Sequence, residues 1–140
     1  MKDKKFITLS SLFFLLFFLF MTVINFNQPL RQLLKAQSVS PSPLKSFIIA
    51  FPQIGPTGSK IKVSVFIRDV NGDALSNRSV KLSSSLISAN ITPSETQTTN
   101  NLGLAEFYLS SDTPGEVKIQ AVDVASNTNI VNVPTVEFTQ

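Results

Sequence analysis

The 140-residue chain contains no cysteine, no histidine and no tryptophan, and only one tyrosine. Without cysteine there can be no disulfide, no lipid-modified cysteine and no thiolate nucleophile. Without cysteine or histidine the usual zinc ligands are gone as well. A Ser–His–Asp triad has no base to build on, which leaves lysine or paired carboxylates for proton transfer. Glycine is scarce too, at five residues. A folded core in this chain has to hold by packing alone. About twelve inward apolar side chains at ~1.5–3 kcal/mol each give roughly 20–35 kcal/mol of gross burial, most of it offset by chain entropy.

What is present is unevenly spread. Seven of the 12 phenylalanines fall within the first 26 residues, and no charge interrupts Phe6 to Leu30. The net charge of +3 is likewise a property of the leader. Lys2, Lys4, Lys5, Arg31 and Lys35 oppose only Asp3, whereas the remainder is slightly acidic. Lysines and arginines scattered over the remainder form no basic face, which argues against a nucleic-acid partner.

Phe6–Phe26 supplies about 20 mostly apolar positions, the length a helix needs to cross a ~30 Å hydrocarbon layer. The basic cluster ahead of it predicts an N-terminus inside and the rest outside. Segment 1–36 is therefore expected to be a signal anchor or transmembrane helix. This makes the chain a single-pass protein of the cytoplasmic membrane, with the membrane as its first partner. The alternative is a signal peptide cleaved after Ala36, in Leu34-Lys35-Ala36-Gln37, and a secreted domain. Segment 37–45, with Pro41 and Pro43 among serines, is expected to be an extended linker.

From residue 46 to 140 no helical period appears. Turn-forming clusters stand at Asp69-Val70-Asn71-Gly72-Asp73, Asn100-Asn101-Leu102-Gly103, Asp112-Thr113-Pro114-Gly115 and Ser126-Asn127-Thr128-Asn129. Between them lie runs of strand character. Seven strands are predicted, at Phe47–Phe51, Lys60–Asp69, Ser79–Ser84, Leu86–Thr99 (as one or two pieces around Pro93), Leu104–Ser110, Glu116–Val124 and Ile130–Thr139. Alternation assigns Ile61, Val63, Val65, Val80, Leu82, Phe107, Ile119, Val136 and Phe138 to the interior, and Phe66 to an outer face or an end.

The order of these motifs resembles the bacterial Ig-like domain, group 1, of invasin- and intimin-type proteins. The carrying residues are the strand from Lys62 into Asp69-Val70-Asn71-Gly72, then Val80-Lys81-Leu82, then Thr99-Asn100-Asn101-Leu102-Gly103-Leu104-Ala105. Leu109-Ser110-Ser111 before Gly115 completes the series. The resemblance implies an all-β, Ig-like Greek-key sandwich of about seven strands, serving as scaffold, spacer or adhesive unit and not as a catalyst. Carboxypeptidase regulatory-like domains share the Asp-x-Asn-Gly and Thr-x-x-x-Gly steps and are the second choice of fold.

Few residues offer site chemistry. Asp69, Asn71 and Asp73 have the first spacings of a calcium loop, but Ala74 and Val80 stand where an EF-hand needs Gly and a bidentate Glu. Asn77-Arg78-Ser79 and Asn90-Ile91-Thr92 fit the N-glycosylation pattern, as chance allows in so Asn-, Ser- and Thr-rich a chain. No catalytic, cofactor-binding or metal residue is assigned, and no cofactor is expected. The expected role is a non-catalytic surface module, with a surface protein or carbohydrate as the possible partner. A subunit of a surface assembly, paired through Phe47–Phe51 or Ile130–Thr139 as an edge strand, is a further option.

Overall fold

The computed structural model describes residues 3–34 and 39–140. The chain divides into two compact units, Met1–Val39 and Ser40–Gln140.

In the first unit, α1 runs from Lys4 to Leu34. It starts where the Asp3 carbonyl accepts hydrogen bonds from the Phe6 and Ile7 amides. Its two threonines bond back within the helix, Thr8 donating to the Lys4 carbonyl and Thr22 to those of Phe18 and Leu19. The expectation of a single-pass span is corrected here. Among the described residues, no helix is long and apolar enough to cross a membrane. Thr8, Ser10, Ser11, Thr22, Asn25, Asn27, Gln28 and Arg31 interrupt the apolar residues of α1. Single-pass placement in the cytoplasmic membrane, and the membrane as a partner of this helix, are withdrawn. The cleavage position after Ala36 lies outside the described residues, as do Lys2, Lys35, Gln37 and Ser38.

The second unit is a β-sandwich of ten strands, β1 (Phe47–Phe51), β2 (Ile54–Pro56), β3 (Ile61–Phe66), β4 (Ser79–Ser84), β5 (Ala89–Thr92), β6 (Thr96–Thr98), β7 (Leu104–Ser111), β8 (Gly115–Asp123), β9 (Thr128–Asn129) and β10 (Thr135–Thr139). One sheet has the order β1-β3-β7-β5; the other is β2-β10-β8-β4-β6, with β9 also on β8. All pairings are antiparallel except β10 with β2.

Strict alternation puts one set of side chains of each strand between the sheets. On β3 these are Ile61, Val63 and Val65, on β7 Ala105, Phe107 and Leu109, and on β8 Val117, Ile119 and Ala121. Val80, Leu82, Val136 and Phe138 meet them from β4 and β10. The interior residues expected from the sequence are all buried. Pro41 and Ser42 are buried as well, and the Ser42 amide bonds the Arg68 carbonyl at 2.7 Å.

Two departures from the predicted strands have local causes. Leu86–Thr99 becomes β5 and β6 in opposite sheets, because the chain crosses over around Pro93. The short β2 lies among Pro52, Gly55 and Pro56, residues that read as breakers. It survives as an outer strand, where proline's missing donor costs no ladder bond.

Phe107→Ala is expected to cost about 3–5 kcal/mol, since the ring is wholly buried and no disulfide limits the loss. Tyr108→Ala, one residue along and 40% exposed, is expected to cost clearly less. Urea midpoints of the two variants check this, and the reverse order would put β7 in the other register. The turn glycines give a second comparison. Gly72 (φ 89°) has open space around an added Cβ, whereas at Gly103 (φ 70°) that Cβ would lie 2.6 Å from the Ile67 carbonyl oxygen. Gly72→Ala is therefore expected to cost about 1 kcal/mol and Gly103→Ala at least about 2, read from the same midpoints.

Candidate functional site

The aspartate loop serves its own turn. The Asp69 carboxylate is buried and accepts the amides of Asn71 (2.9 Å) and Asp73 (2.8 Å) through Oδ1. The Arg68 guanidinium caps the Gly72 carbonyl at 3.3 Å. The carboxylate that would lead a calcium loop is thus committed to backbone donors. Among the described residues no group of three or more acidic, His or Cys side chains could hold a metal ion. Asn77 lies in a turn with φ 57° and Asn90 is exposed on β5, so the two glycosylation-like motifs are on the surface and apart.

One charged group is deeply buried. Asp123, at the end of β8, is 0% exposed and paired with Arg78 just ahead of β4. Arg78 donates from Nε to Oδ1 at 2.9 Å and from Nη2 to Oδ2. The Ser126 amide adds a bond at 2.9 Å, and its hydroxyl a further one, to Oδ2. Burial by itself pushes this carboxyl up. The hydrogen bonds from Arg78 and Ser126, with the guanidinium charge, more than offset that and hold it below the usual aspartate value. Thr99 extends the network, its hydroxyl accepting the Arg78 amide at 2.9 Å and donating to the Leu75 carbonyl at 2.7 Å. With both carboxylate oxygens bonded internally, this is a clasp and not a reactive centre. An aspartate at an inward strand position, three residues ahead of Ser126, was the available signal, and sequence reasoning did not extend it to Arg78.

Among the described residues, one shallow cleft lies along the second sheet and another where the two sheets meet. One, of about 320 Å³, runs along β2 and β10, with Glu116 directly opposite Glu137 in register. The other, of about 250 Å³, opens between β4 and β5 over Leu82, Leu86 and Ile91. Lys81 and Glu95 pair at 3.7 Å on the rim of that second cleft. Neither sets a base beside a nucleophile.

The surface that stands out is the outer face of β1, β3 and β7. Register stacks it in three rows. Phe47, Phe66 and Leu104 form the first, Ile49, Ser64 and Glu106 the second, Phe51, Lys62 and Tyr108 the third. The Phe47 and Phe66 rings stack at 4.8 Å, while Phe51 is 76% exposed and Ile49 50%. Lys62 and Glu106 form an ion pair in the middle, and the Glu106 carboxylate raises the Lys62 ammonium above its ordinary value. The sequence hints at this face only through Phe66, which breaks the alternation of β3. The β1 edge beside it is closed at one point, since the Asn132 side chain accepts the Ile48 amide at 2.7 Å and donates to its carbonyl at 2.8 Å.

Two stacked sheets with this strand order and an apolar interior define an Ig-like β-sandwich. Residues 56–139 match the bacterial Ig-like domain (group 1), and the chain belongs to that family. The carboxypeptidase regulatory-like alternative falls away. Among solved structures, the chain is similar to the D00-D0 domain of intimin (24% identity, 67% of this chain and 46% of that one, TM-score 0.56). It is also similar to a 282-residue C-terminal intimin fragment in complex with the intimin-binding domain of the translocated intimin receptor (23%, 71% and 33%, TM-score 0.55). A third is FdeC, an Escherichia coli adhesin (16%, 71% and 32%, TM-score 0.61). At these identities the likeness is one of fold, and this chain spans about a third to a half of the length of those structures. No curated protein matches the sequence.

The clasp yields a pH prediction. Because the Asp123 carboxyl is held low in the folded state, its contribution is present above the unfolded value of about 3.9 and is lost as pH falls through the folded value. Asp123→Ala leaves Arg78 unpaired and is expected to cost about 3–5 kcal/mol at pH 7. The gap to wild type should narrow as pH falls below about 4. Urea titrations of both proteins between neutral and acid pH measure it, and a gap independent of pH would remove the carboxylate from the account.

Proposed function

We propose that this chain is a non-catalytic Ig-like module of the bacterial cell surface, acting by its shape and its exposed faces. The observation that carries this reading is family membership over residues 56–139. The fate of the ionisable groups supports it. The Asp69 carboxylate is spent on a turn and the Asp123 carboxylate on a structural ion pair. Lys62 and Glu106 neutralise each other on an open face. A general base must be free to take a proton, and the Asp123 carboxylate, although the Ser126 hydroxyl donates to it, is neutralised by the Arg78 guanidinium and closed off from solvent.

Between spacer and binding module, the outer face of β1, β3 and β7 favours binding. A passive spacer has no use for phenylalanines held in water, whereas exposed apolar patches mark interaction sites. Intimin, whose fragment was solved with a receptor domain, offers a precedent for a protein partner. The aromatic rings are set among aliphatic and charged side chains, which fits a protein partner better than a sugar.

Surface location is open to a direct test, because the chain has no thiol of its own. Asn101→Cys, in an exposed turn, is expected to react with a membrane-impermeant maleimide on intact cells producing the full chain. Labelling that appears only after lysis would overturn the cell-surface reading.

A further inference from the structure

We infer that the outer face of β1, β3 and β7 is a homodimer interface, taking a second copy of this chain by the same face. The inference rests on the sandwich and its register, not on the cell-surface reading.

The three-by-three array has an internal symmetry. Its diagonal runs through Phe47, Ser64 and Tyr108. A twofold axis lying in the interface along that diagonal sets each of these against its own copy. The same operation sets Ile49 against Phe66 of the second copy, and Phe51 against Leu104. It also sets Lys62 against Glu106, in both directions. Every apolar side chain then meets an apolar one and every charge its opposite. A closed twofold contact has to be self-complementary in just this way. The face carries one cation and one anion, so it has no net charge with which to select a partner of single sign.

Size agrees. Phe51, Ile49, Tyr108 and Phe47 are 76, 50, 40 and 36% exposed, and Lys62 and Glu106 side chains nearly half. With aromatic side chains worth ~150–250 Å² each, the array offers roughly 600–800 Å² per copy. A standard interface buries about 800 Å² per partner. The diagonal axis also makes the strands of the two copies cross steeply, the orthogonal arrangement of packed sheets.

The absence of cysteine makes the test clean. Ser64→Cys, at the array's centre, is introduced into the full chain and treated in producing cells with a short bismaleimide. The two thiols face one another across a sheet spacing of ~10 Å. The expected product has twice the mass of the chain, and is at least about tenfold weaker from Lys118→Cys on the other sheet's outer face, since an unpaired patch gives only random collisions. Product of another mass, or none, overturns the proposal, the former by naming a different protein as occupant.

Charge exchange tests the symmetry. In the Ser64→Cys chain, Lys62→Glu alone and Glu106→Lys alone each place like charges together and should cut the dimer about tenfold or more. Produced together with different tags, the two variants restore both ion pairs, and mixed dimer should return. Dimer unaffected by either exchange, or not restored by the pair, overturns the twofold arrangement. The exposed pair contributes little to folding, so both variants remain folded.

Discussion

The contact between the two inner sheet faces is the interaction on which everything else in the domain depends. Phe107 from one sheet and Phe138 from the other are the largest fully buried side chains, set among branched aliphatic residues. Apolar burial contributes about 25 cal/mol per Å², and no disulfide limits the unfolded chain. The sandwich is held by complementary shape, which makes it sensitive to any deleted core ring. The same two-residue period that fills the interior dictates what is left outside. Each inward residue of β7 fixes an outward neighbour, so Phe107 within implies Tyr108 without.

The ends of the sandwich are closed by polar devices that apolar packing cannot supply. The Arg78–Asp123 pair joins the start of β4 to the end of β8, and Ser126 and Thr99 tie the adjoining loops to it. A buried pair of this kind adds little over a well-packed apolar substitute, but losing one partner is costly. Its place at the crossing of three connections makes register its natural role. A slip of one residue on β8 would turn Asp123 outward and strand the guanidinium.

Alternation and turn chemistry made much of this legible. Val63, Val65, Phe107 and Ile119 were assignable because each lies in a run of strict period two, and Gly72 and Gly103 because their turns need positive φ. Contacts between residues far apart in sequence were not assignable. Nothing local links Arg78 to Asp123, or Asn132 to Ile48. The outer array was equally hidden, because it arises only when three strands from separate parts of the chain are set in register. The leader misled in a different way. Composition from Phe6 to Phe26 favours insertion residue by residue, but among the described residues no helix is long and apolar enough to cross a membrane.

Edges and faces divide the binding potential of a sheet, and this domain treats them unequally. β10, at first sight an edge candidate within Ile130–Thr139, lies between β2 and β8 and has no free side. β1 is a true edge, yet Asn132 presents an amide to Ile48 much as a neighbouring strand would, occupying both its donor and its acceptor. β2 carries Pro56, and β5 and β6 are short, at 4 and 3 residues. Such features keep sheet edges from recruiting strands indiscriminately. Backbone pairing is tolerant of sequence, whereas side-chain packing on a face depends on which residues meet. With its edges blunted and Phe47, Ile49 and Phe51 exposed on the adjoining face, the domain presents side chains rather than free backbone at its surface. On that account the outer array, not an open edge, is where a partner would be discriminated.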